Sequence, residues 1–170
     1  FLYYQNQQLK SMLAGYQTPM VSPTPSASQA PNGDLANWKT YNSQALGLSF
    51  KYPESYTLEE MGQKDYLNLI TNPNNPFKDQ VGIDGQSITN KTTYNSVVST
   101  LKESMKNIQE TTSSGWLKIT GDGIRESEGE KFTIAIYKLG NNAIKISTIS
   151  TDPNVLQNFD QILSTFQFTQ

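Results

Sequence analysis

The sequence predicts an α+β fold, an α/β/α sandwich in which helices cover a central antiparallel β-sheet. Three observations lead there. Several short runs alternate apolar and polar residues, as strands with one buried face do; among them are LSFKY (48–52), YLNLIT (66–71) and KFTIAIYKL (131–139). Two segments, 93–108 and 152–166, change to a period of 3.6, the mark of an amphipathic helix. The strands between and around them are joined by turns too short for parallel crossovers, so neighbours run antiparallel. Strands, one helix, more strands and a closing helix is the order of a sheet with helices packed against it.

Composition narrows the chemistry. The 170 residues contain no cysteine and no histidine, and their formal net charge is -2. That length suits one globular domain with appendages. Without cysteine the chain has no disulfide, no zinc–thiolate site and no cysteine nucleophile. Without histidine it lacks the commonest general base and the commonest transition-metal ligand, which excludes Ser/His/Asp and Cys/His catalysis. A near-balanced charge gives no basic face, so no nucleic acid partner is expected.

The chain opens on FLYY and passes into QNQQLKSML. Aromatic residues favour the membrane–water interface, so residues 1–15 are expected to form a short helix, the end or continuation of a membrane anchor upstream of Phe1. Gly15 is a suitable stop. Residues 16–37 carry Pro19, Pro23, Pro25 and Pro31 among serine, threonine and alanine. Such a segment buries too little apolar surface to order itself and tends to extended polyproline II, so it reads as a stalk. The globular domain is placed at 38–170.

Within that domain Leu48, Phe50 and Tyr52 share one face of the first clear strand, and Pro53 ends it because proline cannot donate to a ladder. Residues 72–78, NPNNPFK, read as a loop. The third strand, QVGIDGQSI, has glycines that mark a bulge or a close backbone approach. In 93–108, Tyr94, Val97, Val98, Leu101, Met105 and Ile108 fall at helical spacing. Three or four further strands are read at GWLKIT, GIRESE, KFTIAIYKL and AIKISTIS, with TGDG, EGE and GNN as turns. The closing helix has Asp152 to cap it and Pro153 at its first position. Val155, Phe159, Ile162, Leu163 and Phe166 form its buried stripe.

The domain's opening, an aromatic residue, a polar turn, a glycine, an alternating strand and Tyr-Pro, resembles that of the PsbP-like family. Tyr41, Gly47, Phe50, Tyr52 and Pro53 carry the likeness, and Thr165–Phe166 after an amphipathic helix match the family's usual end. The family includes an extrinsic photosystem subunit and many bacterial relatives, and it shares its fold with the eukaryotic Ran-binding Mog proteins. The resemblance implies the α/β/α sandwich and a scaffold or partner-binding role. A stalk after a membrane exit is unlike the photosynthetic members, so a role in oxygen evolution is not implied.

Candidate sites are few. Fifteen carboxylates remain as acids or ligands. Glu126, Glu128 and Glu130 lie around a turn, and Glu59 and Glu60 point to opposite sides of a strand, so neither set makes a dyad. Asp79 and Asp84 bracket the third strand, where a hard cation would bind weakly at best. GDG at 121–123 lacks the ligands that follow in an EF-hand. No catalytic residue, metal or cofactor is therefore expected. Trp116 and Trp38 are candidates for a binding face, with core packing as the plainer role. Asn74 and Phe77 are the leading binding candidates, since a loop aromatic among prolines and asparagines has no core register. Asn90-Lys91-Thr92 has the pattern of a glycosylation site.

These readings combine into a non-catalytic, extracytoplasmic binding or assembly module on a membrane-tethered stalk at a bacterial surface or in a periplasm. Its expected partners are the membrane, through the anchor, and a protein there. The alternatives are a carboxylate-dependent hydrolase, a metal-binding domain, or a structural pilus or surface-layer subunit. Limited proteolysis of the full chain should cut first within about 17–36 and leave a stable product starting near Trp38. A product that unfolds on trimming would make the segment part of the fold.

Overall fold

The computed structural model describes residues 35–61, 65–72, 79–85, 92–124 and 129–169. The expected N-terminal helix, residues 16–34 of the stalk, Asn74 and Phe77, the Asn90 sequence and Glu126 and Glu128 lie outside them. Among the described residues, no helix is long and apolar enough to cross a membrane.

A short 3-10 turn at Leu35–Asn37 lies inside the segment read as stalk and closes through Trp38 N–H to the Leu35 carbonyl. Strands β1 (Lys39–Ser43) and β2 (Leu48–Tyr52) then form a hairpin. Gly47 at its turn has φ +61, a left-handed conformation that glycine adopts without strain. Leu48 and Phe50 are buried and Tyr52 partly so, on the face their alternation predicts. Strands β3 (Thr57–Met61), β4 (Tyr66–Ile70) and β5 (Val81–Asp84) follow in an antiparallel meander. Gly82 pairs in regular register here, so the third strand is not bulged. It admits instead a close approach, because a Cβ on it would meet the Tyr66 hydroxyl at 2.8 Å.

Helix α1 (Tyr94–Glu103) is shorter than its periodicity predicts. Thr93 caps its start by accepting from Ser96 N–H, and Ser104 stops it, its hydroxyl donating to the Leu101 carbonyl at 2.8 Å. Met105 and Ile108, read as the helix's last apolar positions, belong to strand β6 (Met105–Ser113). They pack into the same apolar cluster as α1, which is why their spacing fitted a helix. Strand β7 (Trp116–Gly123) also departs from expectation. Gly121-Asp122-Gly123 is ladder, not turn. A Cβ on Gly121 would stand 2.9 Å from the Lys106 carbonyl, so the glycine serves the approach of β6. Strands β8 (Lys131–Leu139) and β9 (Asn142–Thr148) fall where expected. So does helix α2 (Pro153–Ser164), with Asp152 accepting from Asn154 N–H as its cap. Phe166 lies just beyond the helix and is partly buried.

The main sheet has seven strands in the order β3-β4-β5-β9-β8-β7-β6, all antiparallel. The two-residue strand β10 (Gln167–Phe168) adds to β2, so β1-β2-β10 form a second sheet that the single expected sheet did not include. Strand alternation sends Ile119, Ile134 and Ile136 to one face, where α1 packs. Leu67, Val81, Ala135, Ile144 and Ile146 face the other way, into a core shared with α2 and the small sheet. Tyr41 joins the two sheets by donating its hydroxyl to Glu60 Oε1 at 2.7 Å. Burial first, and that carboxylate second, push its phenol up to about 12.

Phe159 is 1% exposed, at the centre of the α2 side. Phe159→Ala should cost roughly 3–5 kcal/mol, read as a shifted denaturant midpoint at unchanged slope. A thermal shift below about a degree would contradict the burial.

Candidate functional site

The structure places one sequence-predicted candidate firmly in the core. Trp116 is 4% exposed and packs edge-on to Phe166 at 5.3 Å and beside Tyr137 at 5.2 Å. Its plainer role is the one observed: it fills space between the sheets. Trp38 packs partly buried on the same core. Asp79 and Asp84 are apart in function as well as position. Asp79 accepts from Ser150 Oγ at 2.5 Å, and Asp84 pairs with Lys145 at 2.9 Å. Among the described residues, no three acidic side chains gather into a metal-binding group.

What the structure does bring together is a cleft of about 470 Å³ between the β6-β7-β8 end of the sheet and the start of α2. Its rim is made by an irregularity. The β6–β7 register shifts between Lys106 and Gln109, and Asn107 sits there at φ 54. Turned out of the ladder in this way, Asn107 Nδ2 donates to Asp122 Oδ2 at 2.8 Å. Lys131, directly opposite Asp122 on β8, lies 3.4 Å from its other oxygen. The Asn107 hydrogen bond, with Lys131 second, holds the Asp122 carboxyl below its ordinary value.

One step inward on the same face, Thr120 stands opposite Thr133. Thr133 is buried, and Gln109 pairs with Thr120 from β6. The far wall comes from Ser150, Thr151 and Leu156 at the head of α2. Ser150 is fixed there, because its hydroxyl donates to Asp79 and accepts from Asp152 N–H at 3.0 Å. The Asp152 carboxylate already occupies the helix N-terminus, which removes that end as an anion site.

The lining therefore offers hydroxyls, two carboxamides and one mutually satisfied Lys–Asp pair, with Phe132 and Leu156 as its apolar part. Chemically the described lining residues can exchange hydrogen bonds in both directions, and together they carry no net charge. Asp122 is ionised and engaged, hence a weak base, whereas proton transfer near neutrality wants a carboxyl raised toward that range. Reading the sequence for catalytic types passed over this cleft. Its signal is that the inward positions of β7 and β8 turn polar toward one end: Trp116, Lys118, Thr120, Asp122, and against them Tyr137, Ala135, Thr133, Lys131.

No family model matches the chain, and no curated protein matches it. Among solved structures, a crystal structure from Bacteroides thetaiotaomicron VPI-5482 aligns with a TM-score of 0.54 and 17% identity. The match covers 79% of this chain and 49% of that one, so the chain spans about half of that protein's length. The solution structure of cyanobacterial PsbP from Synechocystis sp. PCC 6803 aligns with a TM-score of 0.46 and 13% identity, over 78% of this chain and 93% of that one. At 17% identity the likeness to the Bacteroides structure is one of fold alone.

Asn107→Ala should raise the Asp122 pKa toward its ordinary value, followed by carbon-detected carboxyl NMR against pH. A depressed carboxyl stabilises the fold above its unfolded value and loses that contribution as pH falls through the folded one. The variant should therefore lose the part of acid resistance that Asp122 supplies. An unchanged Asp122 titration would show that Asn107 does not set it.

Proposed function

We propose that the chain is a non-catalytic binding module whose cleft takes a neutral, hydroxyl-rich ligand of the saccharide class. The observation that carries this is the pairing of donors with acceptors among the described lining residues, whose charges sum to zero. A phosphate would meet the Asp122 carboxylate, and a cation would meet the Lys131 ammonium. A sugar, whose hydroxyls donate and accept at once, matches hydroxyls and carboxamides from both walls. A hydrolase acting on such a ligand would need two carboxylates facing each other across the cleft. Among the described lining residues Asp122 is the one carboxylate, and it is held by Asn107 and Lys131.

The cellular setting is part of the same proposal. The aromatic cluster FLYY, of residue types that favour a membrane–water interface, and the proline-rich 16–37 support a domain carried on a membrane-tethered stalk outside the cytoplasm, at a bacterial surface or in a periplasm. A binding module there meets polymers and proteins of the envelope, which suits assembly or attachment.

The test is a titration of the isotopically labelled full chain with neutral mono-, di- and tetrasaccharides, followed by amide chemical shifts. Shifts confined to the cleft lining are expected, at Gln109, Thr120, Asp122 and Thr133 on the sheet and at Ser150 and Thr151 on the far wall. Asp122→Asn should weaken the best ligand roughly tenfold, as loss of a charge-assisted hydrogen bond does. Shifts elsewhere, or none with any saccharide, would sink the assignment.

A further inference from the structure

The two edges of the main sheet are built differently. One edge, β3, is five residues long and carries Glu59 and Glu60 side by side. Charges and short length are the usual defences of a free edge. The other edge, β6, has nine residues and among the described residues pairs with β7 alone. Its first half is guarded by the register shift and by Asn107 at φ 54. Its second half, Gln109–Ser113, has no bulge and no proline, and all five residues are exposed. The single charge there, Glu110, pairs with Lys102 at 2.7 Å.

The hairpin turn shows which backbone groups this segment leaves open. Ser114 and Gly115 both have positive φ, 51 and 82, the conformation of a two-residue type I′ turn. Such a turn is closed by a hydrogen-bonded pair, here Ser113 and Trp116, and bonded pairs then alternate along the ladder. Gln109, Thr111 and Ser113 thus point their N–H and C=O groups at β7. Glu110 and Thr112 point theirs outward.

We infer that two copies of this chain pair antiparallel through Gln109–Ser113, with Thr111 facing Thr111 of the second copy. Only that register sets the outward groups of Glu110 against those of Thr112 on both sides of the two-fold axis. It forms four main-chain hydrogen bonds and leaves no open group within the overlap. The Thr111 pair is non-bonded, the closer kind, and threonine side chains fit it well. No like charges meet, because Glu110 stands opposite Thr112. Centring the axis on Glu110 would bring two carboxylates together. The closed pair is isologous, so it stops at two copies.

Sedimentation velocity of the full chain, over a series rising to about 1 mM, should show a concentration-dependent shift from monomer to dimer. Thr112→Pro removes an outward donor and leaves the β7 ladder intact, so it should give a monomer with an unchanged circular dichroism spectrum. Thr111→Lys keeps the backbone groups of the edge, adds a charge opposite Lys118 of its own chain, and sets two ammonium groups against each other across the axis, which should weaken the dimer roughly tenfold or more at an unchanged circular dichroism spectrum. If Thr112→Pro fails to fold, Thr111→Lys decides alone. A wild type that stays monomeric throughout, or a dimer that survives Thr111→Lys, overturns the inference.

Discussion

The structure depends on what happens just after α2. Asp152 and Pro153 start that helix and its apolar stripe seats it on the sheet, but the five residues from Thr165 to Thr169 fasten the rest. Thr165 Oγ1 accepts from Lys51 N–H at 2.9 Å, and Thr169 N–H reaches the Gly47 carbonyl at 2.8 Å. Between them Gln167 and Phe168 pair with Ser49 and Leu48. Phe166 stacks on Phe50 at 4.8 Å and meets Trp116 edge-on, while Phe168 stacks on Tyr137 at 4.2 Å. Such ring pairs add stabilisation beyond the area they bury. Without this segment the β1–β2 hairpin would be a two-stranded ribbon, which has marginal stability alone.

The same geometry sets the cleft. Because α2 is fixed by its C-terminal side, its first turn is held over the β6-β7-β8 end of the sheet at a spacing that leaves room between them. Lys118 reinforces this by pairing with Asp160 at 2.6 Å while lying over the Phe159 ring. A polar lining in that gap is tolerated because its groups find partners. Asp122 has Asn107 and Lys131, and Ser150 has Asp79 and Asp152. Unpaired polar groups in such a place would destabilise the fold.

Legibility in the sequence followed burial. Helix α2 and β2 could be read because one face of each is apolar, and period then reports structure, while β8 showed itself as a longer apolar run buried on both faces. Strand β6 could not, because of its nine residues only Met105 is buried. Polar residues on both faces carry no period. Gly121 and Asp122 read as a turn because the same residues make turns elsewhere; here glycine makes room for a neighbouring strand. The order of strands and helices pointed to the right architecture, yet the second sheet stayed hidden in a strand of two residues, Gln167 and Phe168. The cleft escaped notice for a different reason. It is assembled from ordinary threonines, amides and one ion pair, whose types say nothing until pairing sets them opposite one another.

The link between Lys51 and Thr165 spans 114 residues of chain. A ribosome releases the β1–β2 hairpin long before the segment that completes its sheet exists. During synthesis the apolar side of β2, with Leu48 and Phe50, therefore waits for nearly the whole domain to emerge. Closing so long a loop lowers the folding rate more than it lowers final stability. The nascent hairpin is thus the stretch most in need of shelter, and the residues that follow α2 are the ones that end its exposure.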